Sequence, residues 1–273
     1  MTDVITPILV AIAIWWSSTG ALLWLVRQGR RAHIQTMVVL GIGAVIAMGL
    51  TWGLKHDGSI SAAYSGFACG IIIWALHEAS FLFGFVTGPR KTPCPTNLDL
   101  GPRFLISAQT VIYHELAIAL QGGLLFILCW GGVNQMAALT FALLWGMRIS
   151  SKLVVFLGAP NISVEMLPKH LSYLGTYFNK REVTIAFPIF ITIATAVAAS
   201  LTYYGLTEPV GTFKFTSLLL LAMLASLAVL EHLALVIPVP DEALWAWATR
   251  NDETKEAVPT AKPKSLLGGP DGL

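Results

Sequence analysis

Seven apolar stretches occupy residues 5–26, 34–54, 62–86, 104–130, 136–157, 183–204 and 213–237 of this chain. Each is about as long as the 20 or so residues that a helix needs to cross a hydrocarbon core of about 30 Å. In lipid the backbone has to satisfy its own polar groups, so stretches of this length leave the helix as the economical solution. The expected fold is therefore all-α, a polytopic transmembrane helix bundle of about seven spans forming a single domain over residues 1–249. A mean hydropathy of +0.71 with 12% charged residues agrees with that class. The first run has no basic n-region and no convincing small-residue cleavage site, so it reads as a retained span rather than a signal peptide. A net charge of +2, without a basic run interleaved with aromatics, excludes nucleic acid as a partner. Three cysteines, two of them in apolar runs and Cys94 in a Pro-rich loop, write no disulfide framework.

Orientation follows from the cations. Thirteen Lys and Arg residues, among them Arg27, Arg30, Arg31, Arg90, Lys91 and Arg103, fall on one side of the spans, and only Lys55 and Lys214 fall on the other. By the positive-inside rule the N-terminus is expected in the periplasm and the C-terminus in the cytoplasm. Gly88-Pro89-Arg90 is expected to close the third span, with Gly88 as a left-handed helix end, and Gly101-Pro102-Arg103 to open the fourth. Leu167, Leu171, Leu174 and Phe178 recur at helical spacing and predict a short helix on the cytoplasmic surface near 165–180. Trp245 and Trp247 suit the membrane interface. The composition of 250–273 predicts a disordered tail.

Ionisable residues at membrane depth cost about 2.5 to 3.5 kcal/mol each on insertion scales, so they persist where they pair or act. This chain carries His77-Glu78, His114-Glu115 and Glu231-His232 in three spans, with Arg148 and Lys152 in a fourth. At about 1.5 Å per residue, all five positions fall in one slab of the inner half of the bilayer. Neighbouring helical residues point about 100° apart, which is expected to place spans three, four and seven at the centre. Two cations then face three carboxylates. Either the network fixes helix packing, or it binds a transition metal, a haem or a chlorophyll-type pigment. His77, His114 and His232 are the candidate metal ligands, and Glu78, Glu115 and Glu231 orient them. Local spacing writes neither a zinc-protease nor a di-iron helix motif.

The ordered set His77-Glu78-Ala79-Ser80-Phe81-Leu82, Thr87-Gly88-Pro89-Arg90, Arg103-Phe104, His114-Glu115-Leu116, Asn134, Leu144-Trp145-Gly146-Met147-Arg148, Ser151-Lys152-Leu153, Phe156 to Asn161, Leu167 to Leu171, Glu231-His232 and Leu244-Trp245 resembles the Puh-type photosynthetic complex assembly proteins of purple phototrophic bacteria, in particular their PuhE members. The resemblance covers nearly the whole chain. It implies a multi-pass protein of the bacterial inner, intracytoplasmic membrane that helps assemble the photosynthetic reaction centre and core antenna, or adjusts bacteriochlorophyll supply to them. The implied partners are the lipid bilayer and reaction-centre subunits, core-antenna subunits or other assembly factors. Joined to the polar slab, it makes a bacteriochlorophyll-type tetrapyrrole, a haem or a transition metal the candidate cofactor, with Arg148, Lys152 and Arg103 available to an anionic group such as a propionate. Asn161, Glu165 and His170 are candidates for an entrance or partner-docking face, against a plain loop-capping role. Two alternatives stay open: a membrane metalloenzyme of pigment biosynthesis using the same cluster, and a cofactor-free helix scaffold.

Overall fold

The structure, a computed structural model, describes residues 2–162, 164 and 167–237. The expected tail, the pair Trp245 and Trp247, and Glu165 lie outside the described residues. Among those described, seven helices are long and apolar enough to cross a membrane. They are α1 (Thr2–Val26), α2 (Arg30–Gly53), α3 (Ile60–Leu82), α4 (Leu100–Cys129), α5 (Met136–Leu157), α6 (Ala186–Thr207) and α7 (Phe213–Ala234). A 3₁₀ segment, Lys169–Tyr177, lies between α5 and α6.

Two helices form the centre. Half of the most apolar window of α3 and 61% of that of α7 are buried, against 11 to 22% for the other five. The outer faces of those five, such as Val38, Val39, Ile42, Val45 and Ile46 on α2, remain uncovered and suit lipid. One apolar core joins α2, α3, α4 and α5 through Ala47, Ile73, Trp74, Ile118 and Phe141. A second joins α1, α3 and α7 through Ala11, Phe67, Leu220 and Leu224. The expectation that α4 is central is corrected: it lies at the edge. Its neighbours α3 and α5 stand on the same flank, so two adjacent residues can each find a partner without the helix being surrounded.

Close approach of α3 to α5 depends on Gly66 and Gly70, four residues apart on one face. A Cβ at Gly66 would stand 2.7 Å from the Met136 Cβ, and one at Gly70 would stand 2.8 Å from the Ala137 carbonyl oxygen. Small residues at this spacing let helix backbones pack closely in lipid. Beside them the Asn134 amide donates to the Ala62 carbonyl while its oxygen accepts from the Met136 N–H, tying the start of α5 to α3.

α3 ends at Leu82, four residues short of the apolar run. The left-handed residue that follows it is Gly84, with φ of +76°, not Gly88. Gly88 serves a different purpose: its Cα lies directly on the α4 backbone at Gln109 and Thr110. There the Arg90 N–H donates to the Gln109 carbonyl at 3.3 Å, and the His114 N–H donates to the Thr87 carbonyl at 2.9 Å. The chain leaving α3 is thereby clamped along α4.

The surface helix expected near 165–180 is a 3₁₀ segment, and it does not rest its apolar face on lipid. Leu171, Tyr173, Leu174 and Tyr177 are buried in a cluster with Phe81, against which Ile106 and Val111 of α4 pack. Both Gly-Pro-Arg copies converge on its last residue. Arg90 Nε donates to the Tyr177 hydroxyl, which donates onward to the Thr92 carbonyl at 3.0 Å, while Arg103 donates to the Tyr177 carbonyl at 2.7 Å. Both arginines thus act as intramolecular staples. Removing the hydroxyl with Tyr177→Phe strips a charge-assisted hydrogen bond and is expected to cost about 1.5 to 3 kcal/mol, read as a lower thermal midpoint in detergent. Thr176→Val, which removes an exposed hydroxyl bonded to the Cys94 N–H, should cost less.

Candidate functional site

The polar slab resolves into pairs organised by α5. From α5, the Arg148 guanidinium meets both oxygens of Glu78 on α3, with 2.8 Å from Nη2 to Oε2 and 3.4 Å from Nε to Oε1. One turn on, Lys152 Nζ lies 2.5 Å from Glu115 Oε1 on α4, and Trp145 Nε1 donates to the other Glu115 oxygen at 3.1 Å. Positions 145, 148 and 152 share a face at helical spacing, so one stretch of α5 neutralises carboxylates from two neighbouring helices. The fork of Arg148 holds a carboxylate in a fixed plane.

Glu231 takes no part in this pairing. α7 ends at Ala234, so Glu231 sits about 4.5 Å from the helix end, because the last three residues of the apolar run do not extend the helix. Its carboxylate accepts from Trp15 Nε1 of α1 at 3.1 Å. No Lys or Arg lies within 4.0 Å of it among the described residues. Of the three carboxylates set against two cations, this is the one left over.

The three intramembrane histidines differ sharply. His232 is fully buried, and both ring nitrogens are engaged. Nδ1 lies 2.8 Å from its own helix carbonyl at Ala228, so it carries the proton, and Nε2 lies 2.8 Å from the Ser150 hydroxyl and 3.4 Å from that of Ser151. His114 is also fully buried, yet neither nitrogen has a hydrogen-bond partner among the described residues. Its Nε2 is 3.9 Å from Glu78 Oε1, and its ring leans on Phe81 with centroids 4.6 Å apart. His77, half-buried, has an unpartnered and covered Nε2, and its ring meets the Phe141 ring edge-on at 5.8 Å. Buried polar atoms are normally satisfied, so orphan nitrogens on two rings flanking one ion pair stand out.

Among the described residues no three His, Cys, Asp or Glu side chains form a group that could hold a metal ion. His77 and His114 lie on the α3–α4–α5 side, and His232 lies between α7 and α5. Phe141 and Trp145, which touch His77 and Glu115, also line a groove of about 560 Å³ between α4 and α5, with Gly122, Phe126 and Trp130. Phe126 and Trp130 are more than half exposed, so the groove opens toward lipid. Sequence reasoning missed it because it depends on the helix pairing; the signal in hand was Trp145, four residues from Phe141 and three from Arg148.

The remaining candidates serve helix ends. Asn161 closes α7, its N–H donating to the Leu235 carbonyl at 3.1 Å and its amide to the Val236 carbonyl at 2.8 Å. His170 Nε2 donates to the Leu82 carbonyl at the end of α3, at 2.9 Å. Arg103 is held by Tyr177 and lies 4.8 Å over the Phe156 ring.

Fold and site together define a seven-helix membrane protein whose polar residues meet where α5 crosses α3 and α4. The chain belongs to the family described as protein of unknown function DUF3623, whose family model matches residues 1–256. It is similar to an uncharacterized 30.4 kDa protein encoded in the puhA 5′ region of Rhodobacter capsulatus, 36% identical over 246 residues that cover 88% of each chain. No solved structure matches the chain.

Proposed function

We propose that the protein serves assembly of the photosynthetic reaction centre and core antenna by holding a bacteriochlorophyll-type tetrapyrrole as cargo at the α3–α4–α5 cluster. One observation carries this reading: among the described residues the buried ring nitrogens of His114 and the Nε2 of His77 have no partner, and neutral imidazole is the ligand that the central metal of such a pigment takes. The gene neighbourhood of the relative supports the photosynthetic setting, as does the PuhE-like motif set. In this reading the basic ends of the spans face the cytoplasm of the bacterial inner membrane.

The groove lining suits the apolar part of such a cargo, and neither His77 nor His114 is among the residues that line it. The groove offers flat aromatic walls, and its volume lies within the range of about 300 to 1,000 Å³ usual for small-ligand sites. Phe141 lines the groove and meets the His77 ring edge-on, so it is the side chain that joins the two. Glu78, already held by Arg148, stays oriented beside His114, and Lys152 holds Glu115 against Trp145, which lines the groove. His232, bonded at both nitrogens, packs the bundle. When bound, the pigment supplies absorbance and a metal for imidazole; the chain supplies position and exclusion of water.

A second reading, a cofactor-free scaffold, is favoured by the Arg148–Glu78 and Lys152–Glu115 pairs, which already tie α5 to two helices. An absorption spectrum and metal analysis of protein purified in mild detergent from a phototrophic host separate the two. Tetrapyrrole absorbance that is lost in His77→Gln or His114→Gln, but kept in His232→Gln, is the expected result. Colourless wild-type protein, with all three variants supporting photosynthetic complex formation, would leave the scaffold. Stoichiometric iron or zinc without pigment would instead favour a metalloenzyme using these residues.

A further inference from the structure

His114 is fully buried, and among the described residues neither of its nitrogens has a partner. On the side of the basic helix ends its cover is the Phe81 ring, whose centroid lies 4.6 Å from that of the imidazole. Phe81 stands one turn beyond His77 toward the end of α3, and Leu171, Tyr173, Leu174 and Tyr177 of the 3₁₀ segment pack against it. Lys152 Nζ lies 5.5 Å over the same ring. An aromatic plug, backed by a segment of nine residues, thus stands between the imidazole and the end of the bundle.

That segment is poorly fitted to hold itself in place. Hydrogen bonds of a 3₁₀ helix are less well aligned than those of an α-helix, and runs beyond about three or four residues are uncommon. Polar contacts fasten it to its surroundings instead. His170 Nε2 meets the Leu82 carbonyl at 2.9 Å, the Thr176 hydroxyl accepts from the Cys94 N–H at 2.8 Å, and Arg90 and Arg103 converge on Tyr177. Its outer face, with Lys169, His170, Ser172 and Thr176, is exposed. On the flank toward the start of α2, Leu171 and Tyr173 border a cavity of about 440 Å³ shared with Arg30, His33, Phe83 and Thr87. A stretch held by staples at its rim and undercut on one flank opens at a lower free energy than the packed core.

We propose that the 3₁₀ segment is a releasable cap over His114. When the Tyr177 staples let go, the segment lifts, Phe81 loses its backing, and the imidazole becomes reachable from the basic end of the bundle. This entrance is distinct from the groove between α4 and α5, which His114 does not line. The cap goes beyond the cargo reading and can be tested on the protein alone, so the failure of one leaves the other standing.

The test is modification of the six histidines of the full chain in mild detergent by diethyl pyrocarbonate, which reacts with neutral imidazole, read site by site by mass spectrometry. Exposed His56 sets the fast limit, and His232, buried between α7 and α5, sets the slow one. In the unaltered protein His114 should react as slowly as His232. Arg90→Gln with Arg103→Gln removes two charge-assisted hydrogen bonds and should raise the His114 rate about tenfold or more, with His232 unmoved. Tyr177→Phe, which loses one staple, should give a smaller rise and supplies the comparison if the double variant does not accumulate. A His114 rate equal to that of His56 in the unaltered protein, a rate unchanged by these substitutions, or equal rises at His114 and His232 would overturn the proposal.

Discussion

Gly88→Ala is expected to destabilise the protein by about 3 to 5 kcal/mol, while Gly101→Ala, the same change in the second Gly-Pro-Arg copy, is expected to be neutral or mildly stabilising. At Gly88 a Cβ would collide with the Gln109 carbonyl oxygen and lie 2.5 Å from the Thr110 carbonyl carbon. These are backbone atoms, so no rotamer change relieves them. Forced overpacking costs about 1 to 3 kcal/mol, and separating the strand from α4 also breaks two backbone hydrogen bonds worth about 1 kcal/mol each. Gly101 lies in the first turn of α4 with nothing within 4 Å of its would-be Cβ, and alanine suits a helix better than glycine by about 0.5 to 1 kcal/mol. Thermal midpoints and membrane accumulation of the two variants check this, and equal midpoints would refute the clamp. Because the Thr87 carbonyl holds the His114 N–H, Gly88→Ala should also loosen that imidazole.

Arg148→Met is the other large effect. It leaves the Glu78 carboxylate, 6% exposed at its side chain, with only the His114 nitrogen 3.9 Å away. Removing one member of a buried pair costs about 3 to 5 kcal/mol, whereas replacing both by apolar residues is often close to neutral. The double variant Glu78→Met, Arg148→Met should therefore recover most of the loss, and Glu78→Met alone should cost less than Arg148→Met, since the Arg148 side chain is 43% exposed and can find other partners. A double-mutant cycle in detergent unfolding measures the coupling; additive losses would show that the pair does not stabilise the bundle. If the double variant is stable but fails to support photosynthetic complexes, the pair acts in the site and not only in packing.

The spans were legible because lipid imposes a length and a composition. Residues 136–157 coincide with α5, and the others agree to within four residues at each end. The misses occur where tertiary contact overrides pattern. The third run stops at Leu82 because Gly84 turns the chain, and the Leu167 to Phe178 periodicity describes a segment buried under α3 and α4 instead of one floating on lipid. In the site, the co-location of Glu78, Glu115, Arg148 and Lys152 followed from depth alone. Which carboxylate meets which cation did not, since depth says nothing about rotation about the helix axis. The same gap hid the contrast between His232 and His114, whose sequence neighbourhoods are near mirror images. The role of Tyr177 was invisible for another reason: its partners are 74 and 87 residues away.

The burial of α7 bears on how the molecule is made. Ribosomes deliver helices in order, and the most enclosed of the described helices, α7, is the last of them to emerge. Its principal early neighbour, α1, ends at Val26, whereas α7 ends at Ala234, so at about 5 to 20 residues per second the first helix waits about 10 to 40 s for the surface it is shaped to meet. Throughout that interval Ala11 and Phe67 face a vacancy, the Trp15 indole lacks Glu231, and the Ser150 hydroxyl lacks His232. The nascent chain is thus a set of incomplete half-sites held open until α7 inserts, and a ribosome that stalls before residue 213 would leave in the bilayer six helices without their keystone, a natural substrate for membrane proteases.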